Sequence, residues 1–522
     1  MKLDFLPGLY PDHTGVSDPP RWNTGYNVRF RGKQVETMGL YRPLQLIGGG
    51  PAQVPVETAG RPNFVMTTVL PGKAQIIVGC LNGLFVLEPD TDSTLSTGTR
   101  WEVHDITPDE LATITDEISV DLGRVKTSPA WWGIALGATM MFGRGGQPES
   151  PFSWDRDSAN EATEIEDAPT GAVAGMMSPN RHIILVGADG SDLGFPGPCI
   201  RWANQETVDE WESSSTGTAG GFEVPNCSKL IGGGWTAFDG TFWSDTGLSR
   251  LRQLDDDVYI FALDHLSSEA GLLAQKMWCE HDGMLWWLGQ DMTLRRYQGG
   301  TPQTIPSTVG RETFDRMSRE SAHRGFMNSI GQHGEVWAWI PNGEDQLPDR
   351  AAVWSNREQV WTIAKFDRAC MCDRKGVMRP IAVAEDGTVY EHEAAIIDDT
   401  PSWANDEPAQ RSWLVKSCLW LPPTGTPEVS TADVTRCIID MKSVAIPGDE
   451  DAEINVTITG YDWLRPNPDR KTADPATWAE DTDKVDNRVG GRSFDLQLDG
   501  DDKTERRIGD IWIAAKKSGS ER

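Results

Sequence analysis

The side chains best suited to metal binding are two thiols, Cys370 and Cys372, together with three acidic clusters. Alternate residues of a strand place two thiols on one face, and thiolates are ligands for zinc. Carboxylates are ligands for calcium, but none of the acidic clusters has the alternating spacing of a calcium-binding loop. These clusters lie at residues 255–257, 449–451 and 499–502. We therefore expect partly buried thiols, solvated acidic turns, and no metal or other cofactor.

The sequence contains no motif for nucleotide binding and none for a zinc hydrolase. The glycines at 232–234 are followed by Trp235 and not by the Lys and Ser or Thr of a phosphate-binding loop. The eight His residues are scattered singly, so no two share the helical spacing that places both imidazoles on one zinc ion. The glycine triplet is better explained as a turn.

The charge of the chain argues against tight nucleic-acid binding. With 48 basic and 78 acidic side chains the formal charge is −30, whereas gripping phosphates needs an excess of Lys and Arg. The simplest role for this charge is solubility. No run of about 18 apolar residues could span a bilayer, and the first residues lack a secretion signal, so we expect synthesis in the cytosol with reduced thiols.

A repeated turn dominates the organisation of the chain. Gly beside Asp, Asn or His, flanked by aromatic and β-branched runs, is the signal of a two-residue hairpin. The repeats centre on Asn82-Gly83, Asp239-Gly240, Asp282-Gly283, His333-Gly334 and Asp386-Gly387, and less regular versions lie near 131–133 and 182–186. Their spacing of roughly 40 to 60 residues matches a four-stranded propeller blade. We predict a mainly β protein with about six or seven blades, in preference to stacked β-sandwiches, which use the same hairpins.

Tryptophan recurs at corresponding places in successive repeats. These residues include Trp202, Trp211, Trp235, Trp243, Trp278, Trp286, Trp287, Trp337, Trp339, Trp354 and Trp361. A Trp buries a large area with few rotatable bonds, so we expect most of them to pack one blade against the next. Carbohydrate stacking by a few exposed ones is the alternative.

The pattern predicts four regions. Residues 1–50 form an arm with an isolated hairpin that docks on the propeller or closes its last blade, and residues 51–395 form the propeller. An acidic, Pro-containing linker covers 396–409. Residues 410–522 alternate with period two, as in a small antiparallel β-sandwich. Helix is scarce, with 108–115 and 267–275 as the best candidates.

The opening segment carries the most specific motif. Residues 21–33 resemble the Trp-x-x-x-x-Asn-Val-Arg-Phe-Arg signature of the tail nozzle proteins of short-tailed bacteriophages, also described as packaged-DNA stabilisation or tail hub proteins. The matching residues are Trp22, Asn27, Val28, Arg29, Phe30 and Arg31. The later blades resemble the same family in order, through Trp202, Trp211, Asp282, Gly283, Trp286, Trp287, Trp337, Trp354 and Trp361.

This resemblance implies a structural, non-enzymatic protein of the virion tail, made in the bacterial cytoplasm. The family forms a homohexameric ring below an adaptor, or connector, with fibres or spikes outside and a gated channel that retains and ejects double-stranded DNA. It implies no stable membrane insertion. Two alternatives stay open: a virion glycosidase or depolymerase whose carboxylates converge from several blades, and a cellular propeller that serves as an interaction scaffold.

Overall fold

The structure is a computed structural model of the full chain, described over most of its length. The described residues are 2–13, 19–70, 73–90, 100–115, 117–118, 120–121, 126–237, 239–254, 259–342, 347–374, 376–394, 412–419, 430–444, 453–461, 471–479, 482–486, 488–500 and 505–520. The predicted linker, 396–409, lies outside them, as does Phe238 beside the second repeated turn.

In the described residues, seven sheets follow one another as the blades of a β-propeller, each with four antiparallel strands and one with a fifth strand, in agreement with the predicted fold class. Blade 1 has the strands Pro62–Leu70, Lys73–Cys80, Gly83–Pro89 and Arg100–Asp105; blade 2 has Trp131–Leu136, Thr139–Arg144, Phe152–Trp154 and Thr163–Glu164. Blade 3 has Ala174–Met177, Ile183–Ala188, Cys199–Trp202 and Gly220–Glu223; blade 4 has Leu230–Trp235, Gly240–Ser244, Leu248–Gln253 and Phe261–Ser267. Blade 5 has Trp278–His281, Met284–Leu288, Leu294–Tyr297 and Gln303–Ile305; blade 6 has Phe326–Ile330, Glu335–Asn342, Leu347–Ser355 and Val360–Lys365. Gln45–Leu46 adds a parallel strand to blade 1.

Blade 7 is completed by the N-terminal segment. Cys370–Cys372, Ile381–Val383 and Val389–Ala394 supply three strands, and Leu40–Pro43 pairs antiparallel with the last of them. The first strand of blade 7 also contacts the first strand of blade 1. The ring is thus closed by pairing between distant parts of the chain, which removes free sheet edges.

Aromatic packing reinforces this closure. Tyr41 on the N-terminal strand stacks on His392, with ring centroids 5.3 Å apart. The guanidinium of the buried Arg368 lies 4.4 Å from the ring centroids of both Tyr41 and Tyr390. Stacking on a planar cation stabilises aromatic rings, so Arg368 joins the two strands that close the ring.

Two further sheets form the β-sandwich, and both contain strands from the two ends of the chain. One has Lys2–Leu3, Val28–Arg31, Gln34–Thr37, Ser430–Val444, Val489–Gly491 and Glu505–Ser520; the other has Leu6–Leu9, Arg21–Tyr26, Trp413–Leu419, Ile454–Tyr461, Lys471–Thr472, Ala476–Trp478 and Ser493–Gly500. Its apolar core is continuous with that of blades 5 and 6.

The predicted boundary at residue 50 therefore differs from the structure. The described strands between Lys2 and Thr37 belong to the sandwich, whereas Leu40–Pro43 belongs to blade 7 and Gln45–Leu46 to blade 1, so the arm is divided between the sandwich and the propeller. The reason is that a single hairpin is marginally stable alone and gains stability by joining larger sheets. Sequence spacing does not reveal which sheets it joins.

Helix is confined to short segments in the described residues. These are the α-helical turn Val56–Ala59 and the 3₁₀ turns Ser191–Leu193, Gly310–Glu312, Phe314–Arg316 and Ala322–Arg324; a small hairpin joins Val120–Asp121 to Lys126–Thr127. The helices predicted at 108–115 and 267–275 are absent. The backbone N–H and C=O of Ile114 bond to the side chain of Asn82, and Leu273 N–H bonds to Leu288, so these groups are used outside a helix.

Candidate functional site: the N-terminal junction and the axial cavity

Arg29 is the centre of a junction between the N-terminal hairpin and blades 6 and 7. Its side chain is buried and donates to both oxygens of Glu335, at 2.6 and 3.1 Å, and to both oxygens of Glu393, at 2.9 and 2.6 Å. Glu335 begins a strand of blade 6 and Glu393 lies in the third strand of blade 7. One guanidinium thus ties three segments together, because its planar fork fits two carboxylates at once.

Two other residues complete the hydrogen bonding of these carboxylates. The indole N–H of Trp337 donates to Glu335 Oε2 at 3.0 Å, and His333 Nε2 lies 3.1 Å from Glu393 Oε2. Burial opposes ionisation of Glu393, but the charge of Arg29 and the hydrogen bonds from His333 and Arg29 hold the pKa of this carboxyl well below its ordinary value. Burial also disfavours the Arg29 cation, yet both carboxylates together raise its pKa. Arg29 and Glu393 thus each stabilise the charged form of the other.

Asn27 holds the backbone of the same junction. It adopts φ +57°, and its side chain accepts from Lys365 N–H at 2.7 Å and donates to Ser412 C=O at 2.8 Å. Asn tolerates this left-handed conformation better than most residues. The residue therefore joins the end of blade 6 to the first described residue of the C-terminal region.

The remaining signature residues divide between core and surface. Val28 and Phe30 are buried, and the Val28 carbonyl accepts from the Thr362 hydroxyl of blade 6 at 2.7 Å. Trp22 is 1% exposed and stacks on Phe5, with centroids 4.2 Å apart. Arg31 is partly exposed and pairs with Glu36 at 2.9 Å. Five of the six signature residues thus serve packing or buried hydrogen bonding.

The signature tryptophans of the blades are all buried, which leaves them no surface for stacking a sugar. They are Trp202, Trp211, Trp286, Trp287, Trp337, Trp354 and Trp361. Contacts between blades occur as predicted: Trp202 of blade 3 meets Phe261 of blade 4 edge to face at 5.1 Å, and Trp243 of blade 4 meets Trp287 of blade 5 at 5.6 Å. Trp235 and Trp278 are half-buried.

Asp282 and Gly283 form the tight turn between the first two strands of blade 5. Their φ angles of +52° and +73° are those of a two-residue hairpin of the primed type. Gly283 N–H donates to Glu280 Oε1 at 2.8 Å. This turn aligns the strand that carries Trp286 and Trp287.

The charge network at the junction predicts a sensitivity to acid. The unfolded chain binds a proton at Glu393 near its ordinary pKa of about 4.3, whereas the folded protein resists protonation. The stabilisation by this group is therefore complete above that pH and is lost as the pH falls through the folded-state pKa. We expect the difference in melting temperature between the wild type and Glu393→Gln, measured by calorimetry from pH 7 to pH 3, to shrink on acidification. A difference that is constant with pH would contradict this assignment.

A second cluster of ionisable residues lies at the propeller axis. The first strands of neighbouring blades contact one another around this axis, so their N-terminal ends meet at one mouth. Residues just before five of these strands line a small cavity: Arg61, Pro129, Lys276, Arg324 and Ala369. Glu117 and His323 complete its charged lining.

Most of the charges in this axial cavity are paired. Arg61 Nε donates to both oxygens of Glu385 at 2.8 Å, and Arg324 Nη2 lies 2.8 Å from Glu117 Oε2. His323, 3.7 Å from the same oxygen, lowers the pKa of Glu117 to about 2 against the effect of burial, aided by Arg324 and Arg61. Lys276 makes no ion pair with a carboxylate among the described residues. Burial lowers the pKa of its amine to about 8.

The sequence interpretation missed these partners of the signature residues. No local pattern distinguishes Glu335 or Glu393 from the other carboxylates of the chain. Lys276 and Arg61 carry no local signal, because the mouth is assembled from blades far apart in the chain. Of the signature residues, Asn27, Val28, Arg29 and Trp337 meet at the junction between the N-terminal hairpin and blades 6 and 7. Trp202 and Trp211 lie in blade 3 and take no part in this junction.

The residues considered for metal binding do not assemble a site in the described part of the chain. No group of three or more His, Cys, Asp or Glu side chains converges there. Cys370 and Cys372 lie in the first strand of blade 7, where burial raises the pKa of each thiol to about 12. The acidic clusters at 255–257 and 449–451 are outside the described residues, as are 501–502.

Among the described helices, none has the length and apolar character needed to cross a membrane.

Comparison with known proteins gives structural matches only. No protein-family model matches the chain, and no curated protein matches it in sequence. The chain is similar to BamB from Moraxella catarrhalis, over 70% of this chain and 90% of that one, with 12% identity and a TM-score of 0.36. It is also similar to YCF48 bound to D1 peptide, over 67% of this chain and all 100% of that one, with 10% identity and a TM-score of 0.38.

Proposed function

We propose that this chain is a structural subunit of the tail nozzle ring of a short-tailed bacteriophage. The observation that carries the proposal is the match of residues 21–33 to the family signature, combined with the position of those residues. Arg29 and Asn27 hold the propeller and the sandwich together through buried polar contacts. A part that must keep its shape while a genome passes needs such a junction more than it needs a reactive group.

In this proposal the channel lies between subunits. The axial cavity of the propeller is small, and Gln275 Nε2 before blade 5 donates to Val173 C=O before blade 3 at 2.6 Å, so the propeller itself offers no path for a DNA duplex. Six copies at −30 each would carry a formal charge of −180. Acidic side chains on the ring wall would repel DNA phosphates and prevent adhesion during exit.

The virion glycosidase alternative finds little support at the axial mouth. A glycosidase needs one carboxyl with a raised pKa as general acid and a second as base or nucleophile. Glu117 and Glu385 are each paired with Arg, and the pKa of Glu117 is lowered to about 2. This arrangement suits fixed structural charges.

The direct test is electron microscopy of the protein purified alone and with the adaptor encoded beside it. We expect a closed ring of six subunits joined head to tail, with Asp and Glu dominating the lumen. A basic lumen would remove the charge hypothesis while leaving the ring. A monomer that ignores the adaptor would overturn the structural proposal, and sugar release from capsular polysaccharide would favour the glycosidase.

A further inference from the structure

The axial mouth combines features of a ligand site that the structural role leaves unused. Arg61, Lys276 and Arg324 contribute three permanent or titratable cations, whereas Glu117 and Glu385 contribute two carboxylates. Apart from His323, the cations of this mouth outnumber its carboxylates by one. An uncompensated charge away from bulk water is costly, and a bound anion would offset it.

One cation at this mouth lacks a carboxylate partner among the described residues. Lys276 is half-buried and forms no ion pair among the described residues. Arg61 Nη2 is buried and makes no hydrogen bond of good geometry, although it lies 2.6 Å from Glu385 Oε1. Arg61 is thus already paired with a carboxylate, and Lys276 is the cation that an anion in the cavity would pair.

The rigidity of the mouth favours a preformed site. Met327 N–H of blade 6 donates to the Lys276 carbonyl at 2.8 Å, and the side chain of Gln275 bonds to Val173 of blade 3. The backbone carrying Lys276 is thus fixed by two other blades. A preformed site binds a ligand without the entropic cost of ordering its own side chains.

We propose that the axial cavity is a binding site for a small oxyanion of the phosphate class, held by Lys276 with Arg61 and Arg324. The cavity is small, which suits one compact ion and excludes a macromolecular chain. Guanidinium and ammonium groups are the usual partners of phosphate oxygens, and Glu117 and Glu385 keep the two Arg side chains oriented. The ion would link blades 1, 5 and 6 at the axis.

Binding can be measured on the full-length protein through the reactivity of Lys276. At pH 7.5 an amine with a pKa of about 8 is partly neutral, so it should react with trace isotope-labelled acetic anhydride much faster than an ordinary lysine. In this reaction the amine nitrogen forms the new N–C bond, acetate leaves, and a proton is released. A bound anion raises the pKa of Lys276, so inorganic phosphate should slow its acetylation about fivefold or more.

The exposed Lys229 provides the control within the same chain. Phosphate should leave the acetylation of Lys229 unchanged, as measured by peptide mass spectrometry. Calorimetric titration with inorganic phosphate should show one site in the wild type and in Lys229→Met, and at least tenfold weaker binding in Lys276→Met. Unchanged acetylation of Lys276 in phosphate, or equal affinity of Lys276→Met and wild type, would overturn the proposal.

Discussion

Replacing Arg29 with alanine is expected to lower the free energy of unfolding by about 3–5 kcal/mol. The substitution leaves Glu335 and Glu393 facing each other without their shared cation, in a site where the Arg29 and Glu393 side chains are only 6% and 5% exposed. Breaking one partner of a buried ion pair costs far more than breaking a surface pair. Urea denaturation followed by tryptophan fluorescence measures the change.

Lys33 provides the control for this experiment. It lies in the same hairpin, but its side chain is 67% exposed and pairs with the exposed Asp4, so Lys33→Ala is expected to cost at most about 1 kcal/mol. Arg29→Lys keeps the charge but not the planar guanidinium, and its effect should fall between the two. Equal losses for Arg29→Ala and Lys33→Ala would show that the buried ion pairs do not stabilise the fold more than a surface pair does.

Replacing Trp22 with alanine is the second large effect, with an expected loss of about 3–5 kcal/mol. The indole is 1% exposed and stacks on Phe5, and its strand pairs with Trp413–Leu419 of the C-terminal region. Removing it leaves a cavity between strands from the two ends of the chain. The same denaturation experiment, with near-ultraviolet circular dichroism as a second probe, measures the loss.

An exposed aromatic residue is the control here. Tyr259 is 69% exposed, so Tyr259→Ala should change the free energy of unfolding by no more than about 0.5 kcal/mol. If Trp22→Ala proved equally mild, the pairing of the N-terminal strand with the C-terminal region would not contribute to stability as the packing indicates.

These effects share one cause, which is that both ends of the chain complete units begun elsewhere. Residues 2–37 supply strands to both sheets of the sandwich, and Leu40–Pro43 closes blade 7. Closure removes exposed strand edges that would otherwise pair with other chains. A subunit with fewer free edges can present selected surfaces to its neighbours in a ring, which is consistent with the proposed function.

The sequence was sufficient for the features that depend on neighbouring residues. Asp282-Gly283 predicts its hairpin because positive φ angles are needed at both positions and these residue types supply them. The aromatic runs predicted buried strands, and Trp286 and Trp287 are completely buried. Repetition of these local signals was enough to predict a propeller of about six or seven blades, and the structure has seven.

Only the tertiary structure decided which distant segments meet. Arg29 and its partners Glu335 and Glu393 are separated by 306 and 364 residues, and nothing in their immediate surroundings encodes the pairing. Lys276 acquires its environment from blades 1, 6 and 7, whose first strands converge only when the ring closes. Turn chemistry and alternation act over a few residues, whereas burial and charge pairing depend on what the closed fold places nearby.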